Sequence, residues 1–422
     1  MIKKNLKSNA FTKILFIAVI FLLLNNCGVS QTSRVPLDFK GRWEGTTAMF
    51  GHKFNVAFDF SDSKSTYDVI ESGIYYEQLK RFTLNENGSF IITIPSKPEM
   101  ILKGNIRNDV MSGIIEGENK IPVELKRISH EPAFLAEEEV SYKSGGILLS
   151  GTLIKPGGTE PHPAIVLISG SAGQGRMTRE RTRNMGYFFA KNGIAALIYD
   201  RRGNGNSQGE PDRIIRMDML ANDAAAGAEY LSARKDINKN KIGFYGLSQG
   251  GWVAPYAASI FKRTSFIFVI SAPGIQPDEQ NRFASINMAN SIIANKLLEA
   301  GVPENAVKNL KEKGPSDIVE KNEKETIPGF SFFDPLPYWE NIMVPVLAIY
   351  GSEDRVVPVE ESQSLIENAL KKAGNKKYLF KLFPGADHEL KISLNAHPPF
   401  MIPAPGLQEF MAGWIRINVI DN

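Results

Sequence analysis

Three residues in this sequence have the chemistry to break an acyl bond together: Ser248, Asp354 and His388. The serine lies in Lys241-Ile-Gly-Phe-Tyr-Gly-Leu-Ser-Gln-Gly-Gly-Trp252. Within it, Gly246-Leu247-Ser248-Gln249-Gly250 has the G-x-S-x-G form of a nucleophile elbow, a sharp turn between strand and helix that lifts a hydroxyl clear of a sheet. Side chains at the flanking glycines would clash with the strand and helix on either side. The backbone N–H of Gln249 is then free to stabilise an oxyanion. A second match exists at Gly205-Asn206-Ser207-Gln208-Gly209. Context separates the two. Ser248 follows an apolar run (Ile242, Phe244, Tyr245) and precedes Trp252–Phe261, which suits a helix. Ser207 sits in a polar loop and is followed by Glu210-Pro211. Ser248 is therefore the expected nucleophile.

A serine hydroxyl needs a base, and the base needs an orienting acid. Of the five histidines, His52, His130 and His162 precede the elbow. His397 lies in Ala396-His-Pro-Pro, which reads as a surface turn. His388 ends Lys381-Leu-Phe-Pro-Gly-Ala-Asp-His, a short loop after a strand, and is the expected base. Asp354 in Ile349-Tyr-Gly-Ser-Glu-Asp-Arg-Val-Val-Pro358 follows a strand and a glycine turn, and is the expected acid. Glu353 is the fallback, while Asp387 is adjacent to the histidine and poorly placed to orient it. Asp354 could instead serve only as a helix N-terminal acid. The second oxyanion donor is expected from Ile168-Ser-Gly-Ser-Ala-Gly173, at the N–H of Ser171 with Ala172 next. A Gly-rich loop before a helix can also hold phosphate, but neither a Walker lysine nor a dinucleotide fingerprint follows. The chemistry calls for no metal and no cofactor.

These residues need a scaffold. From about residue 137 the pattern is a hairpin, Glu137–Tyr142 and Ile147–Ile154, followed by apolar strands alternating with helical stretches. The strands are 164–168, 194–199, 241–245, 265–270, 346–350 and 378–383; the helices include 177–192, 217–233, 359–373 and 405–417. Near-continuous apolar strands separated by helices predict a parallel α/β sheet covered on both faces, with its ligand site at the carboxyl ends of the strands. Ser171, Asp200, Ser248 and Asp354 all follow strands. Residues 35–130 read instead as all-β, with runs at 54–60, 89–94, 100–106, 110–115 and 121–125 separated by turns such as Asn87-Gly88. That pattern predicts a small barrel or sandwich, either a structural appendage or a module that shapes the site.

At 422 residues the chain is long enough for two domains. The net charge of +3 includes Lys3, Lys4, Lys7 and Lys13 of a leader without acidic residues; without them the balance is −1, so nothing points to nucleic acid. Residues 1–27 read as an export signal with an eleven-residue apolar run, Ile14–Leu24, too short to span a bilayer comfortably. Cys27, the only cysteine, follows in Leu24-Asn-Asn-Cys-Gly28, which resembles a bacterial lipoprotein cleavage site, although Asn26 stands where that pattern has a small residue. A lipidated Cys27 would attach the protein to a membrane; an ordinary signal peptide that contains a cysteine is the alternative. The sequence sets no oligomeric state.

Residues 137–420, with Ser248, Asp354 and His388 in that order, resemble the α/β-hydrolases, in particular bacterial serine esterases and serine-aminopeptidase-like hydrolases. Tyr199-Asp-Arg-Arg-Gly-Asn-Gly-Asn-Ser207 is similar to that family's D-x-R-G-x-G-x-S loop, which assigns Ser207 to a structural loop. The β module resembles that of some bacterial esterases of this fold, and its Gly41-Arg-Trp43-Glu-Gly45 start is similar to lipocalin-type barrels. By the same resemblance the insertion at about 276–340 is a helical cap. Its aromatics (Phe330, Phe332, Phe333, Trp339) form an apolar lid or merely anchor the insertion to the core. The expectation is an exported serine hydrolase, periplasmic or membrane-anchored, acting on a small-molecule carboxylic ester. The alternatives are an aminopeptidase-like serine peptidase, for which Glu279 or Glu299 could hold a free amine, and a non-catalytic binding lipoprotein of the same fold.

Overall fold

The computed structural model describes residues 39–421 except 50, 62–64, 97–98, 118–119, 129–134, 160, 172–175, 177–179, 211–215, 301–332 and 395–399. The leader with Cys27, the alternative donor Ala172, His130, His397, Phe330 and Phe332 lie outside the described residues.

The first region is a nine-stranded antiparallel sheet: β1 (Gly41–Met49), β2 (His52–Phe60), β3 (Ser65–Val69), β4 (Ile74–Gln78), β5 (Arg81–Leu84), β6 (Ser89–Ile94), β7 (Met100–Arg107), β8 (Val110–Glu116) and β9 (Ile121–Arg127). The strand order is β4-β3-β2-β1-β9-β8-β7-β6-β5. Alternate residues of each strand point inward, as the two-residue period demands. Phe54, Phe58, Phe60, Phe90, Ile92, Leu102, Met111 and Leu125 share one core with Trp43. Phe60 on β2 and Phe82 on β5 have ring centroids 5.3 Å apart, so one curled sheet, rather than two stacked ones, encloses the core.

The second sheet has the order β10-β11-β13-β12-β14-β15-β16-β17. Its first strands, β10 (Ala136–Ser144) and β11 (Ile147–Lys155), are antiparallel. The others are parallel: β12 (His162–Ile168), β13 (Ala195–Tyr199), β14 (Ile237–Leu247), β15 (Thr264–Ile270), β16 (Val346–Gly351) and β17 (Tyr378–Phe383). The inner strands are apolar because both faces are covered. The longer helices are α1 (Glu180–Lys191), α2 (Met217–Ser232), α3 (Gln249–Ile260), α4 (Pro277–Glu299), α5 (Val359–Lys372) and α6 (Leu407–Ile415). Ala164, Val166 and Leu197 face α2, α3 and α5, whereas Ile165, Leu167, Ala196 and Ile198 face α1 and α6. Helix α5 begins with Glu360 and Glu361 and ends with Lys371 and Lys372, which complements its dipole. Helix α4 begins with Pro277, Asp278 and Glu279, a favourable start for the same reason and because Pro has no N–H to leave unpaired.

Helix α1 also carries the β module. Arg183 reaches Glu77 at 2.7 Å and the carbonyl of Tyr76 at 2.5 Å. Lys191 meets Asp68 at 2.9 Å, and Arg42 meets the same carboxylate at 2.8 Å. Asp68 is buried, which by itself would push its carboxyl up; Lys191 and Arg42 outweigh that and hold it below the usual carboxylate range. A last hairpin, β18 (Lys391–Leu394) and β19 (Phe400–Pro403), pairs only with itself.

Candidate active site

Strand β14 ends at Leu247, α3 begins at Gln249, and Ser248 alone makes the turn with φ 53° and ψ −118°. For a non-glycine residue that left-handed backbone is strained. The neighbours hold it there. Ser248 N–H donates to the Ile270 carbonyl at 2.9 Å, and its own carbonyl accepts Gly251 N–H at 2.7 Å. A Cβ at Gly246 would lie 2.2 Å from the Gly250 carbonyl oxygen, and one at Gly250 would lie 2.4 Å from that of Ile168. No side chain fits either gap, so both glycines are there for close approach.

The register of β12 beside β14 sets Ile168 against Gly246, which brings the loop after β12 beside the elbow. A Cβ on Gly170 would stand 3.5 Å from Ser248 Cβ. Ser171 is exposed on this loop, one residue farther along, and Gln249 is buried at the first position of α3. Arg201 donates to the Ser169 carbonyl at 2.6 Å, fixing the loop from the side of β13.

Asp354 and His388 are brought together by the ends of β16 and β17. His388 Nδ1 lies 2.8 Å from Asp354 Oδ2. Asp354 Oδ1 accepts the N–H groups of Val356 and Val357 at 2.8 and 2.9 Å, so its other oxygen is left for the imidazole. The Asp354 side chain is 0% exposed and that of His388 19%, which shields their hydrogen bond but leaves the ring reachable. Bonding at Nδ1 sets the tautomer that leaves Nε2 able to accept a proton. Below the pair, burial and then the charge of Asp354 push the phenol of Tyr350 up, so it stays neutral and donates to the Ala272 carbonyl at 2.9 Å. Glu353 is exposed. Asp387 is spent on the backbone, accepting from Glu389 and Lys391 N–H at 2.8 and 2.9 Å.

Ser271, which sequence reasoning missed, joins the two halves. It follows β15 with φ 49°, is fully buried, and donates its hydroxyl to the His388 carbonyl at 2.9 Å. Ile270, one residue earlier, holds Ser248 N–H, so a two-residue bridge connects the backbones of Ser248 and His388. The one hint in the sequence is that Ser271-Ala272-Pro273 directly follows an apolar strand, as the other site loops do. The loop that carries Asp354 is tied to α4 as well: Gln280 donates to the Val356 carbonyl at 2.9 Å and Asn287 to that of Arg355 at 3.2 Å. The described aromatics of the insertion anchor it. Phe333 and Tyr338 stack on Tyr256 of α3, and Trp339 is fully buried in the core.

The second serine is built differently. Ser207 donates to the Asp200 carbonyl at 2.6 Å and accepts Ser150 N–H at 2.9 Å. Asp200 accepts Asn206 N–H at 2.9 Å and pairs with buried Arg176. This loop braces β11 and β13 beside the site. Beside the residues that follow His388 is a cavity of about 220 Å³ whose walls include Tyr75, Phe188, Ile270, Leu390, Leu407 and Met411. Among the described residues, no group of three or more His, Cys, Asp or Glu could hold a metal ion.

A family model described as the prolyl oligopeptidase family matches residues 181–397, just over half the chain. Among curated proteins, the polyketide transferase claH of Penicillium crustosum is 29% identical over 23% of this chain and 31% of its own. The polyketide transferase ATR5 of Stachybotrys chlorohalonatus is 27% identical over 43% of this chain and 60% of its own, so the chain spans less than two thirds of the length of either relative. The uncharacterized peptidase YuxL of Bacillus subtilis is 24% identical over 80% of this chain and 48% of its own. Among solved structures, an esterase of Pyrococcus furiosus matches with 20% identity and a TM-score of 0.47, covering 68% of this chain and 92% of that one. The expected α/β-hydrolase fold, preceded by an antiparallel β domain, is the one found.

Proposed function

The chain belongs to the prolyl oligopeptidase family; from that premise we propose that it is a hydrolase of the α/β type that cleaves carboxylic esters through an acyl-enzyme on Ser248. The observation that carries this reading is the Asp354–His388 hydrogen bond, set on the sheet edge where Ser248 is held in a strained turn. His388 Nε2 takes the Ser248 proton as Oγ attacks the carbonyl carbon. The negative charge that develops on the carbonyl oxygen is met by the N–H groups of Gln249 and Ser171. Collapse of the tetrahedral adduct breaks the ester C–O bond, and His388 gives its proton to the leaving alcohol. Water then attacks the acyl-serine with His388 again as base, releasing the acid and restoring Ser248. Asp354 keeps the imidazole oriented and stabilises its cationic form.

One observation favours an ester over a peptide. Glu279 and Glu299, the carboxylates considered for a free amine, are both exposed on α4. Family membership favours the second reading, a serine peptidase. A panel of p-nitrophenyl esters of increasing acyl length, run beside aminoacyl-p-nitroanilides, separates the two. The proposal expects turnover of the esters, and turnover of the anilides alone would replace it with the peptidase reading. Export and a lipid anchor on Cys27 are part of the proposal and rest on the leader sequence. A Cys27→Ser protein that still partitions with membranes would remove the anchor.

A further inference from the structure

We propose that the β module positions His388, acting through the β18–β19 hairpin with Leu394 and Ile402 as positioning residues. This rests on the reading of His388 as the base. The histidine sits at the tip of a loop closed on itself. Asp387 N–H donates to the Lys391 carbonyl at 2.9 Å, and the Asp387 carboxylate holds Glu389 and Lys391 N–H. Leu390, buried and with φ 56°, donates to the Asp387 carbonyl at 2.9 Å and accepts Ala404 N–H at 2.8 Å. Strands β18 and β19 therefore form one spur, rooted at the histidine loop through Leu390 and Ala404.

That hairpin does not pair with the sheet that carries Ser248. Ile392 and Ile402 face each other across the hairpin, and Leu394 lies two residues farther on the same face. Leu394 and Ile402 are each 5% exposed, and both belong to the core formed by Phe54, Phe90, Leu102 and the other inward residues of the β module. Ile392 packs against this core and against that of α1 and α6. His388 is thus held from two bodies. The hydrolase sheet holds its ring through Asp354 and its carbonyl through Ser271. The module holds the chain that leaves it. A structural appendage docked only through α1 would need no such spur, since Arg183 and Lys191 already join the two regions.

The experiment is steady-state ester hydrolysis by the full chain carrying Leu394→Ala with Ile402→Ala, beside Met111→Ala and His388→Gln. Met111 is fully buried in the same module core but on β8. A displacement of a catalytic group by about 1 Å costs on the order of 10²-fold, so the hairpin double variant is expected to lose about 10- to 100-fold in kcat with little change in KM. Its downfield His388 Nδ1 proton resonance is expected to move or broaden. Met111→Ala is expected to lower thermal stability and leave both readouts alone, and Leu394→Met to restore turnover. If the double variant fails to fold, Ile402→Val with Leu394→Val gives the same comparison on a smaller scale. Wild-type kcat and an unmoved Nδ1 resonance in a folded hairpin variant, with His388→Gln inactive, would overturn the positioning role alone. Equal losses of kcat in Met111→Ala would overturn the assignment to the hairpin. Full turnover by His388→Gln would instead sink the base reading on which the inference stands.

Discussion

Ser248 and Ser207 sit in pentapeptides of one pattern, and the fold puts the backbone strain of the two on different residues. At 246–250 the strain falls on the serine, with φ 53°, and the glycines serve close approach: a Cβ on either would run into backbone. At 205–209 the left-handed backbone falls on the glycines, φ 54° at Gly205 and 96° at Gly209, and the serine is relaxed. Gly205 also presses against the Asp200 carboxylate, where a Cβ would stand 2.3 Å from an oxygen. Ser207 has spent its proton and a lone pair on backbone groups, while Ser248 is half-exposed at the sheet edge. A hydroxyl already saturated and buried is a poor nucleophile, so the pattern G-x-S-x-G carries chemistry only where the turn, not the hydroxyl, supplies the backbone bonds.

Three substitutions press on that contrast. The largest effect is expected for Ser248→Ala, a loss on the order of 10⁶-fold in kcat, as for removal of a triad nucleophile, with the melting temperature little changed. Ester turnover within tenfold of wild type would break the comparison outright. Next is Asp354→Asn, which keeps the shape but disfavours the productive imidazole tautomer; a fall in kcat of about 10⁴-fold is expected from kinetics at saturating ester. A fall shared instead by Glu353→Gln would move the acid one residue. The smallest effect on turnover is expected for Ser207→Ala. It orphans the Asp200 carbonyl and Ser150 N–H, so urea unfolding should show a loss of about 1–3 kcal/mol while kcat stays within a few-fold. Full stability together with lost turnover would exchange the roles of the two serines.

How much of this was legible in the sequence follows from where the information lies. The strand–turn–helix around Ser248 and the loops after β16 and β17 are local patterns, so their placement on one sheet edge could be read from apolar runs and glycines. The left-handed φ of Ser271 could not, because nothing in Ser-Ala-Pro specifies it; the Ile349 carbonyl and the His388 carbonyl, distant in sequence, hold it there. Strand β3, Ser-Thr-Tyr-Asp-Val, hides for another reason. Asp68 occupies a buried position and spoils the apolar alternation, and it is tolerated only because Arg42 and Lys191 meet it. The β18–β19 hairpin is four residues a side and buries its apolar face in strands some 300 residues earlier, so neither period nor length marks it. Helix α6 was read as running to residue 417, whereas the chain widens to a π-helix over Arg416–Ile420.

The contrast between the serines reduces to one measurement, intact-mass analysis after treatment with a fluorophosphonate. The account predicts one added phosphonyl group on the wild type and on Ser207→Ala, and none on Ser248→Ala. A phosphonyl group on Ser248→Ala, or its absence from Ser207→Ala, would contradict it.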